Sequence, residues 1–297
     1  MPRQHFLTLL DLPPMDLQTI VKRASELKLE PNIASDNSNK TLGLVFEKSS
    51  TRTRIAFEVA MAQMGGTSLF LTTNDSQLGR GEPIADTSRV VSSMVDCLAI
   101  RTFEHAKLQD FAKHSKVPVI NALSDSFHPC QLLADMQTFN ENRGNIRGKV
   151  VAWVGDGNNM CQSYINAATV FDFELRIACP KGFGPSTELV SKNSNRVSLT
   201  ENPSSALSGA DLVVTDVWAS MGQENEHAKR VKAFSNYQVT KELMSHANRD
   251  ALFMHCLPAH RGQEVSAEVI DAENSVVWEE AENRMHSQKA LLEFLLS

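Results

Sequence analysis

Along this chain, short apolar runs alternate with stretches in which apolar residues recur three or four positions apart. The runs, bounded by polar turns, predict strands, and the 3.6-residue period predicts helices between them. Asp16 is expected to cap a helix carrying Leu17, Ile20, Val21, Ala24 and Leu27. Asn32 to Lys40 is polar and reads as a loop. Thr41–Phe46 reads as a strand, followed by a polar turn and a helix with Ile55, Val59, Ala60 and Met64. Gly65-Gly66 is expected to end it. Further strands are predicted over Ser68–Thr72, Asp96–Arg101 and Val117–Leu123, with helices over Asp86–Met94, Lys107–Lys113 and Gln131–Asn140.

Asn142-Arg143-Gly144, with Gly148, is the best candidate for a domain boundary. A second series follows: strand Lys149–Val154, helix Asn159–Val170, then strands Glu174–Ala178, Arg196–Leu199, Asp211–Thr215, Ala251–His255 and Ser275–Trp278. Glu280–Leu295 reads as a final helix with Met285, Ala290, Leu291 and Phe294 on its apolar side. The order implies an α/β protein with two doubly wound domains and parallel sheets. They would span residues 1–142 and 143–279, with the C-terminal helix, 280–297, packing back on the first.

Composition narrows the function. The 297 residues suit two domains of ordinary size. Lys and Arg total 29 against 35 Asp and Glu, a net charge of -6. That argues against a nucleic-acid partner or a membrane surface but leaves room for a local basic pocket. The five cysteines are widely spaced with no C-x-x-C pair, so neither a disulfide framework nor a structural zinc site is expected. Reduced thiols point to the cytoplasm. The apolar run Phe6–Leu10 soon meets Asp11 and Pro13-Pro14, too short for a signal-peptide core, and no stretch reaches the ~18 apolar residues of a membrane span.

Four polar clusters follow predicted strands, where parallel α/β sheets bind ligands. The first is Lys48-Ser49-Ser50-Thr51-Arg52-Thr53-Arg54. A helix N-terminus with hydroxyls and guanidinium forks suits phosphate oxygens; the plainer alternative is a helix cap with solvated charges. No Walker glycine–lysine pattern is present. The second, His128-Pro129-Cys130-Gln131, can polarise a carbonyl, although a lone histidine is more often structural. The third, Gly155-Asp156-Gly157-Asn158-Asn159, departs from the dinucleotide fingerprint at Met160; its amides suit a zwitterion instead. The fourth group is Asp216 to Gly222 together with His255-Cys256-Leu257-Pro258. Asp216 suits an ammonium group, whereas a cysteine such as Cys256 is usually inert packing.

Taken in order, Ser50-Thr51-Arg52-Thr53-Arg54, His128-Pro129-Cys130-Gln131, Asp216 with Ser220-Met221-Gly222, and His255-Cys256-Leu257-Pro258 resemble the signatures of the ornithine carbamoyltransferase family. The likeness runs from Phe6 to the terminal helix and includes Glu282-Asn283-Arg284. It implies carbamoyl transfer from carbamoyl phosphate to the δ-amine of L-ornithine, giving L-citrulline and phosphate. By the same resemblance Ser50, Thr51, Arg52 and Thr53 bind phosphate, and Arg101, His128 and Gln131 hold the carbamoyl end. Arg284, Cys256 and Leu257 complete that pocket, while Asn159, Asp216, Ser220 and Met221 correspond to ornithine contacts. Gln77 matches a loop that reaches a neighbouring subunit's site in the family's trimer, so a homotrimer with shared sites, or a multiple of it, is implied. Arg54 is read as support for the pocket.

The chemistry expected of these residues is direct. Attack by an amine puts negative charge on the carbamoyl oxygen, which Arg101, His128 and Thr53 would stabilise. Arg52 and the helix N-terminus would take up charge on the leaving phosphate. Asp216 and Cys256 would orient the amine, which must be neutral, so rate should rise with pH. No cofactor, metal or covalent intermediate is expected, because the electrophile arrives activated. Closure of the two lobes over the substrates is also an expectation. The alternative is a carbamoyltransferase for another amine, such as putrescine or an acylated ornithine.

Overall fold

A computed structural model describes residues 4–72, 81–219 and 226–297, apart from the side chains of Asn32 and His227. Gln77, Ser220, Met221 and Gly222 lie outside the described residues. The chain divides into two units, Met1–Gln137 with Glu282–Ser297, and Thr138–Ala281.

The first unit alternates helix and strand: α1 (Pro14–Leu29), β1 (Thr41–Phe46), α2 (Arg52–Gln63), β2 (Thr67–Thr72), α3 (Ile84–Val91), β3 (Cys97–Arg101), α4 (His105–His114) and β4 (Val119–Leu123). Helix α5 (Pro129–Arg143) then carries the chain into the second unit. The four strands are parallel, in the order β2-β1-β3-β4. Val45, Leu98, Ile100 and Val119 from the sheet pack with Leu108 and Phe111 of α4. The N-terminal apolar run is used here too. Phe6 is fully buried and bridges Ile120, with its N–H donating to the Val119 carbonyl at 2.8 Å.

The second unit contains β5 (Val150–Val154), α6 (Asn159–Phe171), β6 (Glu174–Ala178), α7 (Thr187–Lys192), β7 (Val197–Thr200), α8 (Pro203–Leu207), β8 (Leu212–Thr215), α9 (His227–Ala233), α10 (Lys241–Met244), β9 (Leu252–His255) and α11 (Ala267–Ile270). Helix α12 (Val277–Leu296) returns the chain to the first unit. Its sheet is again parallel, ordered β7-β6-β5-β8-β9. Ala152, Val154, Val213 and Phe253 form its core with Trp218, Phe234 and Val265.

In each sheet the strand order reverses once: between β1 and β3, and between β5 and β8. Such a reversal opens a crevice at the carboxyl ends of the strands, because successive connections leave in opposite directions. Register keeps those ends level. Phe46 pairs with Arg101, Val154 with Thr215, and Thr215 with His255. At the end of β3 the pairing slips, so that Arg101 faces Leu123 rather than Ala122. An irregularity of this kind re-aims a side chain.

Two expected elements differ. Ser275–Trp278 is not a strand: Ser275 makes a single bridge to Phe253, and α12 begins at Val277. Glu279 and Glu280 in the first turn favour the helix, since acidic groups complement its positive end. Asp16 does not cap α1. The helix starts at Pro14 after Pro13, proline needing no amide partner there, and Asp16 sits inside the first turn.

Gly157 is required by close approach. A Cβ on it would lie 2.1 Å from the Pro185 nitrogen and 2.3 Å from the Gly184 carbonyl carbon, both backbone atoms. Gly157→Ala should therefore cost about 1–3 kcal/mol, the usual penalty for overpacking. Gly184→Ala, whose Cβ would meet only Leu199 at 3.8 Å, should change stability by less than about 1 kcal/mol. Denaturant unfolding of both variants checks the contrast.

Candidate active site

The first half-site is built at the β1–β3 reversal. The β1–α2 turn delivers Ser50 and Thr51 to the start of α2, where Thr51 is the N-cap residue and makes no side-chain cap. The first amides of α2 are therefore not capped by the Thr51 hydroxyl. Arg52 is half-buried and Thr53 is buried. From α12, Arg284 donates through Nη2 to the Thr53 hydroxyl at 3.2 Å and through Nη1 to Gln131 Oε1 in a short bond. Gln131 Nε2 in turn donates to Asp135 Oδ1 at 2.9 Å. A chain Thr53–Arg284–Gln131–Asp135 thus ties three helices together, all of it buried.

Arg101 and His128 occupy the ends of β3 and of the β4–α5 turn, both buried. Burial holds the His128 imidazole well below its usual pKa, and Arg284, Arg101 and Arg52, in that order, push it the same way. The ring is therefore neutral at ordinary pH, a donor through one nitrogen and an acceptor through the other. Its charged neighbours of consequence are all cations, and that describes a pocket for an anion.

Arg54 does not join them. Its guanidinium lies over the Phe70 ring, 3.6 Å from the centroid, and Nε donates to Glu58 at 3.0 Å. Residues two apart on a helix point to different faces, so the S-T-R-T-R run sends Arg52 and Arg54 to separate places. Cys130 is also no participant: its thiol points at the Asn121 carbonyl, 3.4 Å away, and burial pushes it up to about 12.

The second half-site lies at the β5–β8 reversal. Asn158 caps α6, accepting from the amides of Met160 and Cys161 at 3.0 and 3.1 Å. Its Nδ2 donates to Asp216 Oδ2 at 2.7 Å. The other carboxylate oxygen accepts from the Val217 amide at 2.8 Å and faces Cys256 Sγ at 3.2 Å. Asn159 opens α6 beside them. His255 accepts the Leu257 amide on Nδ1 at 2.9 Å and donates from Nε2 to the buried Glu264 at 3.1 Å. That bond sets the ring's tautomer. Leu257 takes a left-handed conformation, φ 56°, which is uncommon for a branched side chain.

Asp216, His255 and Cys256 each place a metal-ligating atom within 4.8 Å of the others. Both His255 nitrogens are already engaged, on the Leu257 amide and on Glu264. The cluster reads as a hydrogen-bonded support for Asp216.

Residues 4–141 match the family model described as "Aspartate/ornithine carbamoyltransferase, carbamoyl-P binding domain". Residues 147–295 match "Aspartate/ornithine carbamoyltransferase, Asp/Orn binding domain". The chain belongs to the aspartate/ornithine carbamoyltransferase family. Within that family it is 61% identical to an ornithine carbamoyltransferase of Nitrosococcus oceani, over 98% of this chain and 97% of the relative. It is 57% identical to an anabolic ornithine carbamoyltransferase of Pseudomonas aeruginosa, over 99% and 97%. Among solved structures, the anabolic ornithine carbamoyltransferase of Campylobacter jejuni superposes with a TM-score of 0.92 at 45% identity, covering 98% of both chains. The ornithine carbamoyltransferase of Burkholderia thailandensis gives 0.90 at 49%, covering 99% of this chain and 98% of that one.

Of the residues the motifs single out, Ser50, Thr51, Arg52, Thr53, Arg101, His128, Gln131 and Arg284 belong to the first unit. Asn159, Asp216, Cys256 and Leu257 belong to the second. Asp135, Glu264 and Arg230 were not among the candidates. Glu264 and Arg230 act on partners that the fold brings near, His255 and Asp156, whereas Asp135 reaches Gln131 one turn back on the same helix.

Because His128 is held neutral in the folded state while an unfolded histidine titrates near 6.5, acid should unfold this protein partly through it. Its contribution is fully present above about pH 6.5 and is lost as pH falls below that. Replacing His128 by Gln should flatten the fall of Tm between about pH 6.5 and 5, as scanning calorimetry would show. Thiol chemistry gives a second check. Cys97, Cys130, Cys161 and Cys179 are buried with raised pKa values, and Cys256 is partly exposed. One thiol should react quickly with an aromatic disulfide reagent in the native protein, and all five after denaturation.

Proposed function

We propose that this protein transfers the carbamoyl group of carbamoyl phosphate to the δ-amine of L-ornithine, giving L-citrulline and phosphate. The observation that carries this reading is the gathering of buried Arg101 and Arg284 with half-buried Arg52 around a neutral His128, in a chain whose two halves match carbamoyl-phosphate-binding and aspartate/ornithine-binding domains. Relatives named ornithine carbamoyltransferase along their full length support ornithine as the acceptor.

Ser50, Thr51, Arg52 and Thr53, with the first amides of α2, take the phosphate. Arg101, His128 and Gln131 hold the carbamoyl oxygen and nitrogen, with Arg284 fixing Gln131 and Thr53. Asn159, Asp216, Ser220 and Met221 take ornithine, and Cys256 and Leu257 border the reacting groups. The neutral δ-nitrogen attacks the carbamoyl carbon. A C–N bond forms, the C–O bond to phosphate breaks, and the proton shed by the nitrogen passes to the departing phosphate or to solvent. Negative charge grows first on the carbamoyl oxygen and then on phosphate. Positioned donors are worth most there, because they need no reorganisation. Asp216 holds the δ-ammonium as it enters and orients it, and attack follows once the extra proton has passed to solvent.

The further readings are that the reaction serves arginine biosynthesis, that the enzyme works in the cytoplasm, and that it assembles as a homotrimer or a multiple of one. In that assembly Gln77 would serve a neighbouring subunit's site. The anabolic names of two relatives support the first.

A carbamoylation assay with ornithine, putrescine, acetylornithine and aspartate tests the substrate. Ornithine should give the highest kcat/KM, and a higher value for putrescine would sink the assignment. Arg52→Gly should lower citrulline synthesis by about a hundredfold or more, with native Tm retained; unchanged synthesis would remove Arg52 from the phosphate site.

A further inference from the structure

The β5–α6 turn carries a second acidic residue that the reaction does not use. Asp156 lies two residues before Asn158, and its carboxylate pairs with Arg230 Nη1 of α9 at 3.0 Å. Both side chains are only 8% exposed. The same Arg230 nitrogen donates to the Trp218 carbonyl at 2.8 Å, and its guanidinium stands 5.2 Å from the Phe183 ring centroid. Phe183 in turn accepts the Gly157 amide at 2.8 Å, and the Trp153 indole donates to the Asp156 carbonyl at 3.0 Å.

The turn therefore has two arms. Asn158 holds Asp216 by its carboxylate. Asp156, through Arg230, holds the backbone two residues further on, at Trp218. One buried guanidinium nitrogen, Nη1, thus bridges a carboxylate and a backbone carbonyl, while Nε of the same group donates to Glu226 at 3.3 Å, so the planar group is held on two sides. It also answers a charge conflict. The Asp156 carboxyl stands raised to about 6: burial lifts it, the paired Arg230 pulls it back, and the nearby Asp216 adds to the rise.

We infer that Asp156 and Arg230 form a positioning pair that fixes the Asp216–Trp218 segment and so sets the affinity for the amine substrate, without a part in binding carbamoyl phosphate. This rests on the reading of the second unit as the ornithine half. The pair touches neither reactant; it acts through the placement of Asp216. Asp156 and Arg230 are 74 positions apart and meet only in the folded unit.

Removing one charge alone leaves the other buried and threatens the fold, so the main test removes both with groups of similar size. Asp156→Asn with Arg230→Met should fold, keep the KM for carbamoyl phosphate within about twofold, and raise the KM for ornithine tenfold or more. Arg230→Lys, which keeps the charge but not the planar guanidinium, should fall between that variant and the native enzyme. Equal loss in both KM values, or an ornithine KM within twofold of native, would overturn the inference. Failure of the native enzyme to carbamoylate ornithine would instead overturn the reading on which it rests.

Discussion

Positive charge gathered in a buried place is the constraint from which the first unit follows. Arg101 and Arg284 are almost fully buried, and Arg52 acts on the same imidazole. Guanidinium groups leave water at high cost unless hydrogen bonds replace it. The fold supplies several. Thr53 and Gln131 accept from Arg284, and Asp135 holds Gln131 in turn. A neutral His128 adds no further positive charge. The result is a field ready for an anion before any anion arrives, as a preorganised site requires.

The second unit solves a different problem with the same topology. Here one carboxylate, Asp216, must stand at a strand end without collapsing onto a cation. Each of its oxygens accepts from fixed donors: Asn158 on one side, the Val217 amide and the Cys256 thiol on the other. Asn158 is itself immobilised by capping α6. Glu264, fully buried, orients His255 and through it the Leu257 amide. Function in this half depends on direction more than on net charge. The groups that bond Asp216 directly are accordingly uncharged: an amide side chain, a backbone amide and a thiol.

Local pattern revealed a good part of this. The alternation of apolar runs and 3.6-residue periods placed most strands within a residue or two, since buried parallel strands read as near-continuous apolar runs. It failed at Ser275–Trp278, where four residues look like a strand but the acidic turn that follows draws Val277 into a helix. It also missed the five short helices α7 to α11, which are too brief to show a period. In the site, the S-T-R-T-R run was visible, but the division of labour between Arg52 and Arg54 was not. That division depends on where α2 begins: Arg54 turns to Phe70 and Glu58, while the charge of Arg52 acts on His128.

Sequence alone determined the class of fold and the family, because those depend on residue type and spacing. It also limited the meaning of the net charge of -6, which averages away a cationic pocket of a few residues. Tertiary structure decided the rest. It set the two strand-order reversals, the slipped register that re-aims Arg101, and the delivery of Arg284 from the far end of the chain to Thr53 and Gln131. It brought Arg230 to Asp156 and Glu264 to His255. The reason is common to all of these. A polar side chain in a buried place takes its state from whatever lies within a few ångströms, and those neighbours are separated along the chain by anything from 9 positions, for Glu264 and His255, to 231, for Arg284 and Thr53.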